Sequence, residues 1–233
     1  MLAAWEEGLD RARVDRAPSL LDGLGLLEAG EDWTTMTVGE CDRRLLRLRQ
    51  RLFGEELRAV CRCTTCSQEI EVTLSAPRFT PSAGRDGQVV VELAGYRVQA
   101  RLPLNSDLSA LAALGRAPTA IDLLRRCVLR VESAAGEVGV AELPGDVGEE
   151  TLATLALHDS GADMPVPVHC PGCDSRWPER LEVRDFLWEE LTSWAYGLLD
   201  EVHRLALAYG WAERDILAMS DRRRRFYLQA ADQ

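Results

Sequence analysis

The spacing of apolar positions along this chain changes several times, and each change predicts an element. Thr37-Val-Gly-Glu40 has the form of a capping box. Cys41, Leu45, Leu48 and Leu52 then recur at helical spacing until Gly54 ends the run. Upstream lie two short apolar stretches, Trp5 to Ala12 and Ser19 to Leu27, the second softened by Gly23 and Gly25. From Leu57 to Cys61 and from Glu69 to Leu74 the pattern becomes extended, alternating apolar with polar. After a polar loop at Pro81 to Gly87, Val89 to Leu93 and Tyr96 to Leu102 predict a hairpin about Ala94-Gly95. Helical spacing then returns. Asn105-Ser-Asp107 can cap Leu108 to Leu114, and Thr119 can cap a helix that turns Ile121, Leu124, Cys127, Val128 and Val131 inward. Pro144-Gly145-Asp146 opens a shorter helix through Leu152 and Leu155 to about His158. Ser175 to Val183 reads as extended again. Asp185 caps a long helix, stopped by Gly210, whose stripe is Phe186, Leu187, Leu191, Trp194, Leu198, Val202, Leu205 and Tyr209. Glu213 to Met219 and a segment capped by Ser220-Asp221 close the chain as two more helices.

Into this frame fall two cysteine pairs, Cys63-Thr-Thr-Cys66 and Cys170-Pro-Gly-Cys173, each with the spacing of half a tetrahedral zinc site. Such a turn lets two thiolates converge on one cation at about 2.3 Å, and two turns complete a closed site. Strand-like sequence follows both pairs, which fits a zinc ribbon better than a redox pair opening a helix. The expectation is therefore one structural Zn2+ per chain on Cys63, Cys66, Cys170 and Cys173. Cys61 and His169 flank the knuckles as substitute ligands. Cys41 and Cys127 fall on helical stripes and are expected in the core. Disulfides are the competing reading, but seven cysteines is an odd number, and the N-terminal residues lack a basic stretch followed by an apolar one. A reducing cytoplasm is expected, where such pairs bind metal more often than they cross-link.

The predicted fold is α+β and mainly helical, with the ribbon split by an inserted hairpin-plus-helices lobe. The boundaries are 1–56 for N-terminal helices, 57–77 and 164–184 for the two ribbon halves, 78–163 for the lobe and 185–233 for C-terminal helices. At 233 residues and 46% hydrophobic content, the chain can bury a core of its own. No apolar run is long enough for a membrane span. The net charge of −11 repels phosphate backbones, so nucleic acid is not an expected partner. All 27 basic residues are arginine, and Arg222-Arg-Arg-Arg225 is the densest cluster. Four arginines on one helical turn can bind phosphate or an acidic partner, but in so acidic a chain the cluster reads first as solvated or internally paired. Four thiolates leave a zinc ion no open position, and His203 has no catalytic companion set by spacing, so no enzyme is expected.

A longer pattern joins these parts. Thr37-Val-Gly-Glu-Cys-Asp-Arg-Arg-Leu-Leu-Arg-Leu-Arg49 leads to Phe53-Gly54 and the first knuckle. His169-Cys-Pro-Gly-Cys173, Phe186-Leu-Trp188 and Glu201-Val-His-Arg-Leu-Ala206 follow, and then Tyr209-Gly-Trp211, Ile216-Leu217 and Arg224-Arg-Phe-Tyr-Leu228. This pattern resembles the T4-type bacteriophage baseplate protein family, described as baseplate hub assembly chaperones of contractile phage tails and phage-like injection systems. It covers nearly the whole chain, including Arg101-Leu-Pro103 and Asp107-Leu108, and is most specific at the C-terminal block. The first knuckle departs from the Cys-Pro-x-Cys-Gly form such a family leads one to expect. The resemblance implies a non-enzymatic assembly factor or accessory of the hub, encoded in a phage or phage-like locus and acting in the bacterial cytoplasm. Its partner would be a hub or other tail protein, met at a C-terminal tip shaped by Trp211, Arg224 and Tyr227. The rival function is a zinc-ribbon module for nucleic acid or transcription machinery, resting on Arg62, Arg176, Arg180 and Trp177.

Overall fold

The computed structural model describes residues 1–75, 87–159, 161, 162 and 164–231. The polar loop expected at Pro81 to Gly87 lies outside them except for Gly87. Helix and strand make up 53% and 20% of the protein, as an α+β reading requires. The chain divides into two compact units, residues 3–187 with Met1 and residues 188–233 with Leu2.

The first unit opens with α1 (Leu2–Leu9) and α2 (Arg13–Gly23). The second predicted apolar stretch thus belongs to a helix that starts earlier, at Arg13, and carries Pro18 within it. Helix α3 (Val38–Phe53) begins where the Thr37 signature places it: Thr37 Oγ1 accepts the Glu40 amide at 3.2 Å. The reciprocal half of the capping box is replaced, because the Glu40 carboxylate turns to Arg43 and Arg44 instead. Strands β1 (Glu56–Arg62) and β2 (Glu69–Ser75) pair antiparallel as the first half-ribbon, with Leu57 opposite Leu74 and Arg62 opposite Glu69.

The inserted lobe differs from its prediction. Strands β3 (Gln88–Leu93) and β4 (Tyr96–Arg101) form the expected hairpin, and Ala94 and Gly95 both have positive φ, 51° and 80°. That is the two-residue turn whose twist matches the strands. Helix α4 (Asn105–Ala112) is capped by its third residue, since the Asp107 carboxylate accepts the Leu104 amide at 2.9 Å. Asn105 is no cap; it is buried and donates to the Trp33 carbonyl at 2.7 Å. Helix α5 (Ala120–Cys127) stops seven residues after it starts, and Val128 begins β5 (Val128–Ser133) instead of continuing the helix. Strand β5 pairs with β4 and with the short β6 (Gly136–Glu137), so the lobe is a four-stranded antiparallel sheet and not a lone hairpin. Helix α6 (Gly145–His158) packs on it, with Val147 and Leu155 fully covered among Val89, Val91, Val98, Ala100 and Val131.

Strands β7 (Pro165–His169) and β8 (Arg176–Arg180) form the second half-ribbon. Pro167 faces Pro178 across the pair, and neither can donate to a ladder, so the interstrand bonds come from the alternate pairs. The prolines therefore lie on the outer edges, where they block pairing with a further strand. Helix α7 (Val183–Tyr209) starts in the first unit and runs on into the second. Near its start Arg184 donates to Asp42 of α3 at 2.6 Å and to the Asn105 carbonyl at 2.6 Å, and Arg13 of α2 clasps Asp185. The ribbon thus leads directly into a packed junction of α2, α3, α4 and α7. The second unit continues with α8 (Glu213–Leu217) and α9 (Asp221–Ala231), closed around Val202, Leu205, Ile216 and Leu228. Among the described residues, no helix is long and apolar enough to cross a membrane.

Candidate metal centre

Each half-ribbon is a hairpin whose turn carries two thiols. Cys63 N donates to Gln68 O and Cys170 N to Ser175 O, both at 2.9 Å. Ser67 N and Asp174 N close the same turns onto the carbonyls of Cys63 and Cys170, again at 2.9 Å. The residue after the second cysteine is left-handed in both, Ser67 at φ 61° and Asp174 at φ 60°. The two knuckles are therefore copies of one conformation. The first puts a serine, and the second an aspartate, at a left-handed position where glycine is least strained.

Folding brings the two turns together across more than a hundred residues of chain. Cys63 Sγ lies 3.6 Å from Cys173 Sγ, and Cys66 Sγ lies 3.7 Å from Cys170 Sγ. All four sulfurs fall within 4.8 Å of one another. A disulfide needs about 2.05 Å, and all seven cysteines are free. A tetrahedron with ligand bonds of about 2.3 Å has edges of about 3.8 Å. The sulfur set therefore fits a single four-coordinate cation, with every ligand position taken by protein.

The sulfurs are not equivalent. Cys63 and Cys170 are buried, whereas Cys66 and Cys173 are exposed. Beneath the inner pair, Ile70 packs with Cys61, Val72 and Trp177. The Ser175 hydroxyl sits 3.2 Å from Cys63 Sγ and 3.1 Å from Cys173 Sγ, and the Thr65 amide donates to Cys63 Sγ at 3.4 Å. Hydrogen bonding from Ser175, joined by backbone amides, brings the Cys63 thiol down to about 5 and lowers Cys173 as well. At Cys66 the Gln68 amide pulls downward, but desolvation and the neighbouring sulfurs outweigh it and push the thiol up to about 12. Without a cation Cys63 thus gives up its proton readily while Cys66 holds its own. A divalent ion would replace those protons and balance the thiolate charge.

The flanking candidates lie outside the ligand set. Cys61 packs beside it in the ribbon core. His169 Nε2 is held at 2.6 Å by Asp174 Oδ1 of its own knuckle. Cys41 and Cys127 are fully buried, and burial pushes their thiols up to about 12 and about 11, as inert core cysteines require. On the ribbon surface Arg62 is paired with Glu69 at 2.8 Å, and the Trp177 indole donates to Glu179 at 3.1 Å. That leaves little of the basic surface a nucleic-acid ribbon would present.

In the second unit, Arg224 is buried. Its guanidinium donates to Glu201 at 3.0 Å, to the Met219 carbonyl at 2.7 Å and to the Asp221 carboxylate. Trp211 stacks on Tyr209 with centroids 4.5 Å apart and meets Tyr227 edge-on at 4.9 Å. Both Trp211 and Tyr227 pack on the unit's apolar core. His203 is exposed on α7. Two features went beyond the sequence reading: Ser175, whose hydroxyl bridges two sulfurs, and the division of the Arg222 to Arg225 cluster, in which Arg224 turns inward and its neighbours stay exposed. The signal for Ser175 was its place two residues after Cys173; the helical phase of Arg224 could have revealed the other.

No family model, curated protein or solved structure matches this chain.

Proposed function

We propose that this chain is a non-enzymatic assembly factor for the baseplate hub of a contractile phage tail or phage-like injection system, stapled by one structural zinc ion. The observation that carries the reading is where its most specific residues fall. Tyr209, Trp211 and Tyr227, which bear the resemblance, form one aromatic cluster, and Arg224, which also bears it, is buried in the same unit against Glu201 and Asp221. A motif that builds a small folded unit supports kinship in fold more strongly than scattered matches do. Zinc is the preferred ion because four thiolates at tetrahedral spacing suit it, and a closed sulfur set suits a staple rather than a catalyst.

The test is co-expression with hub, sheath and tube proteins of a contractile tail, followed by purification on a tagged copy. Capture of the hub protein, with this chain absent from finished tails, is the expected result for a chaperone; retention in finished tails identifies an accessory subunit. Failure to capture any tail protein, together with salt-sensitive binding of DNA, overturns the reading in favour of a nucleic-acid module. Metal analysis of the purified chain is expected to return zinc, and an iron-coloured or metal-free protein refutes that part.

A further inference from the structure

Helix α9 has a buried face and a bare one. Arg224, Tyr227 and Leu228 turn inward, while Arg222, Arg223, Arg225 and Phe226 face solvent. At 100° per residue, Arg225, Arg222, Phe226 and Arg223 follow one another around a single side of the helix, with Phe226 between guanidinium groups. Phe226 is 66% exposed, and its ring is backed edge-on by Tyr227 at 5.4 Å. Tyr227 is in turn braced by Trp211 and Tyr209. The phenyl ring is thus a rigid apolar knob on a firm aromatic base, the kind of side chain that anchors interfaces.

Among the described residues the exposed arginines of this face make one long hydrogen bond within the fold, from Arg225 Nε to the Asp221 carbonyl at 3.4 Å. Arg224 takes the Glu201 and Asp221 carboxylates. No ion pair joins Arg222, Arg223 or Arg225 to an acid among the described residues, although acids outnumber bases in the chain by 38 to 27. Cations in the first turn of a helix also oppose its dipole, so these arginines weaken the helix that carries them. A chain of net charge −11 that keeps such a cluster unneutralised presents it to something acidic.

We infer that the outer face of α9 docks an acidic segment of a partner protein, one that sets an apolar side chain on Phe226 between carboxylates directed at Arg222, Arg223 and Arg225. The positive end of the helix adds to the attraction for those carboxylates. A nucleic-acid strand fits less well, because its continuous phosphate charge would meet the repulsion of the whole acidic chain, whereas a short segment needs to be attractive only locally. This inference rests on the reading of the chain as a binding protein, but not on the partner being a baseplate hub.

The test uses the full chain and three fluorescent probes: a short peptide of alternating Glu and Leu, its Gln-and-Leu counterpart, and a single-stranded DNA oligonucleotide. The variants are R222E/R223E/R225E and F226A. All four positions are exposed, so circular dichroism should show both variants folded, with the charge reversal melting no lower than the parent. The parent is expected to bind the Glu peptide in preference to both other probes, more weakly as salt rises. Three exposed pairs together imply a loss of roughly tenfold or more in the charge-reversal variant. The Phe226 variant should show a smaller loss that does not depend on salt. No binding of the Glu peptide by the parent, undiminished binding by the charge reversal, or tighter binding of DNA than of peptide overturns the inference. Undiminished Glu-peptide binding by the charge reversal, with the hub captured equally by both proteins, overturns this docking face and leaves the assembly reading standing. Peptide binding lost on charge reversal, with no tail protein captured by the parent, supports the face and removes the baseplate reading.

Discussion

Replacing Cys170 by serine perturbs the point where the first unit is most dependent on one bond. Cys170 Sγ faces Cys66 Sγ across 104 residues of sequence, and Cys63 faces Cys173 across 110. A cross-link that closes a loop of about a hundred residues is worth about 4.7 kcal/mol through the entropy it denies the unfolded chain. Around the sulfurs the packing is thin, Ile70 with Cys63 and Cys170, while Leu57, Val166 and Val168 are the other buried apolar residues of these strands. Cys170→Ser is therefore expected to release the metal and lower unfolding free energy by about 4–5 kcal/mol, comparable to the whole stability of many domains. Urea denaturation with parallel metal analysis measures both effects, and excess chelator should move the parent to the same midpoint. Hydrogen exchange adds the location. Amides of β1, β2, β7 and β8 should lose protection first, while those of β3 to β5 persist on cores that contain no ribbon residue. A variant that keeps its metal, or one within about 1 kcal/mol of the parent, would refute the staple argument.

Three further outcomes follow from particular residues. Ser67→Gly should raise stability by about 0.5–1 kcal/mol by relieving the left-handed backbone, whereas Asp174→Gly gains less because it gives up the bond to His169; thermal melts of the two variants compare them. Gly39→Ala should destabilise by about 3 kcal/mol, since its methyl carbon would fall 2.0 Å from Asp159 Oδ1 and 2.8 Å from the Ala162 amide; an unchanged urea midpoint counts against that packing. Burial pushes the Asp42 carboxyl up to about 6 despite Arg184. Its folded value lies above the ordinary one near 3.8, so its share of stability is complete below that pH and is lost as pH rises through about 6. A carboxyl carbon resonance for Asp42 that titrates near 6 is the expected observation, and a midpoint below 4 contradicts it.

The two cysteine-bearing hairpins were legible because thiol spacing and period-two strands on both sides reinforce one another. The α3 and α9 starts were legible for a similar local reason. Val128 and Val131 show where local reading fails. Their three-residue spacing continues the helical stripe of α5, yet the same residues complete a sheet whose other strands begin about thirty positions earlier. That partnership is non-local, and periodicity over so short a run cannot distinguish it. Asn105 misled in another way. It looks like a helix cap, but tertiary packing places it inside, bonded to a carbonyl from residue 33 and a guanidinium from residue 184. At the candidate centre the grouping of the four cysteines was readable from spacing, whereas the Ser175 hydroxyl was not, because its place depends on where the other knuckle arrives. The C-terminal residues singled out from the family pattern fold together, and the phase of α9 sends Arg224 inward while leaving its arginine neighbours outside.

The unequal burial of the four sulfurs also bears on how an ion would leave. Cys66 and Cys173 are the two that an incoming chelator or competing thiol can reach, and they belong to different knuckles. Stripping the outer pair leaves Cys63 and Cys170, again one from each knuckle, still gripping the cation from below. A half-released ion would therefore continue to bridge both turns. Exchange of one metal for another could proceed through such an intermediate without the halves of the ribbon parting, so turnover of the ion and integrity of the fold would run on separate clocks.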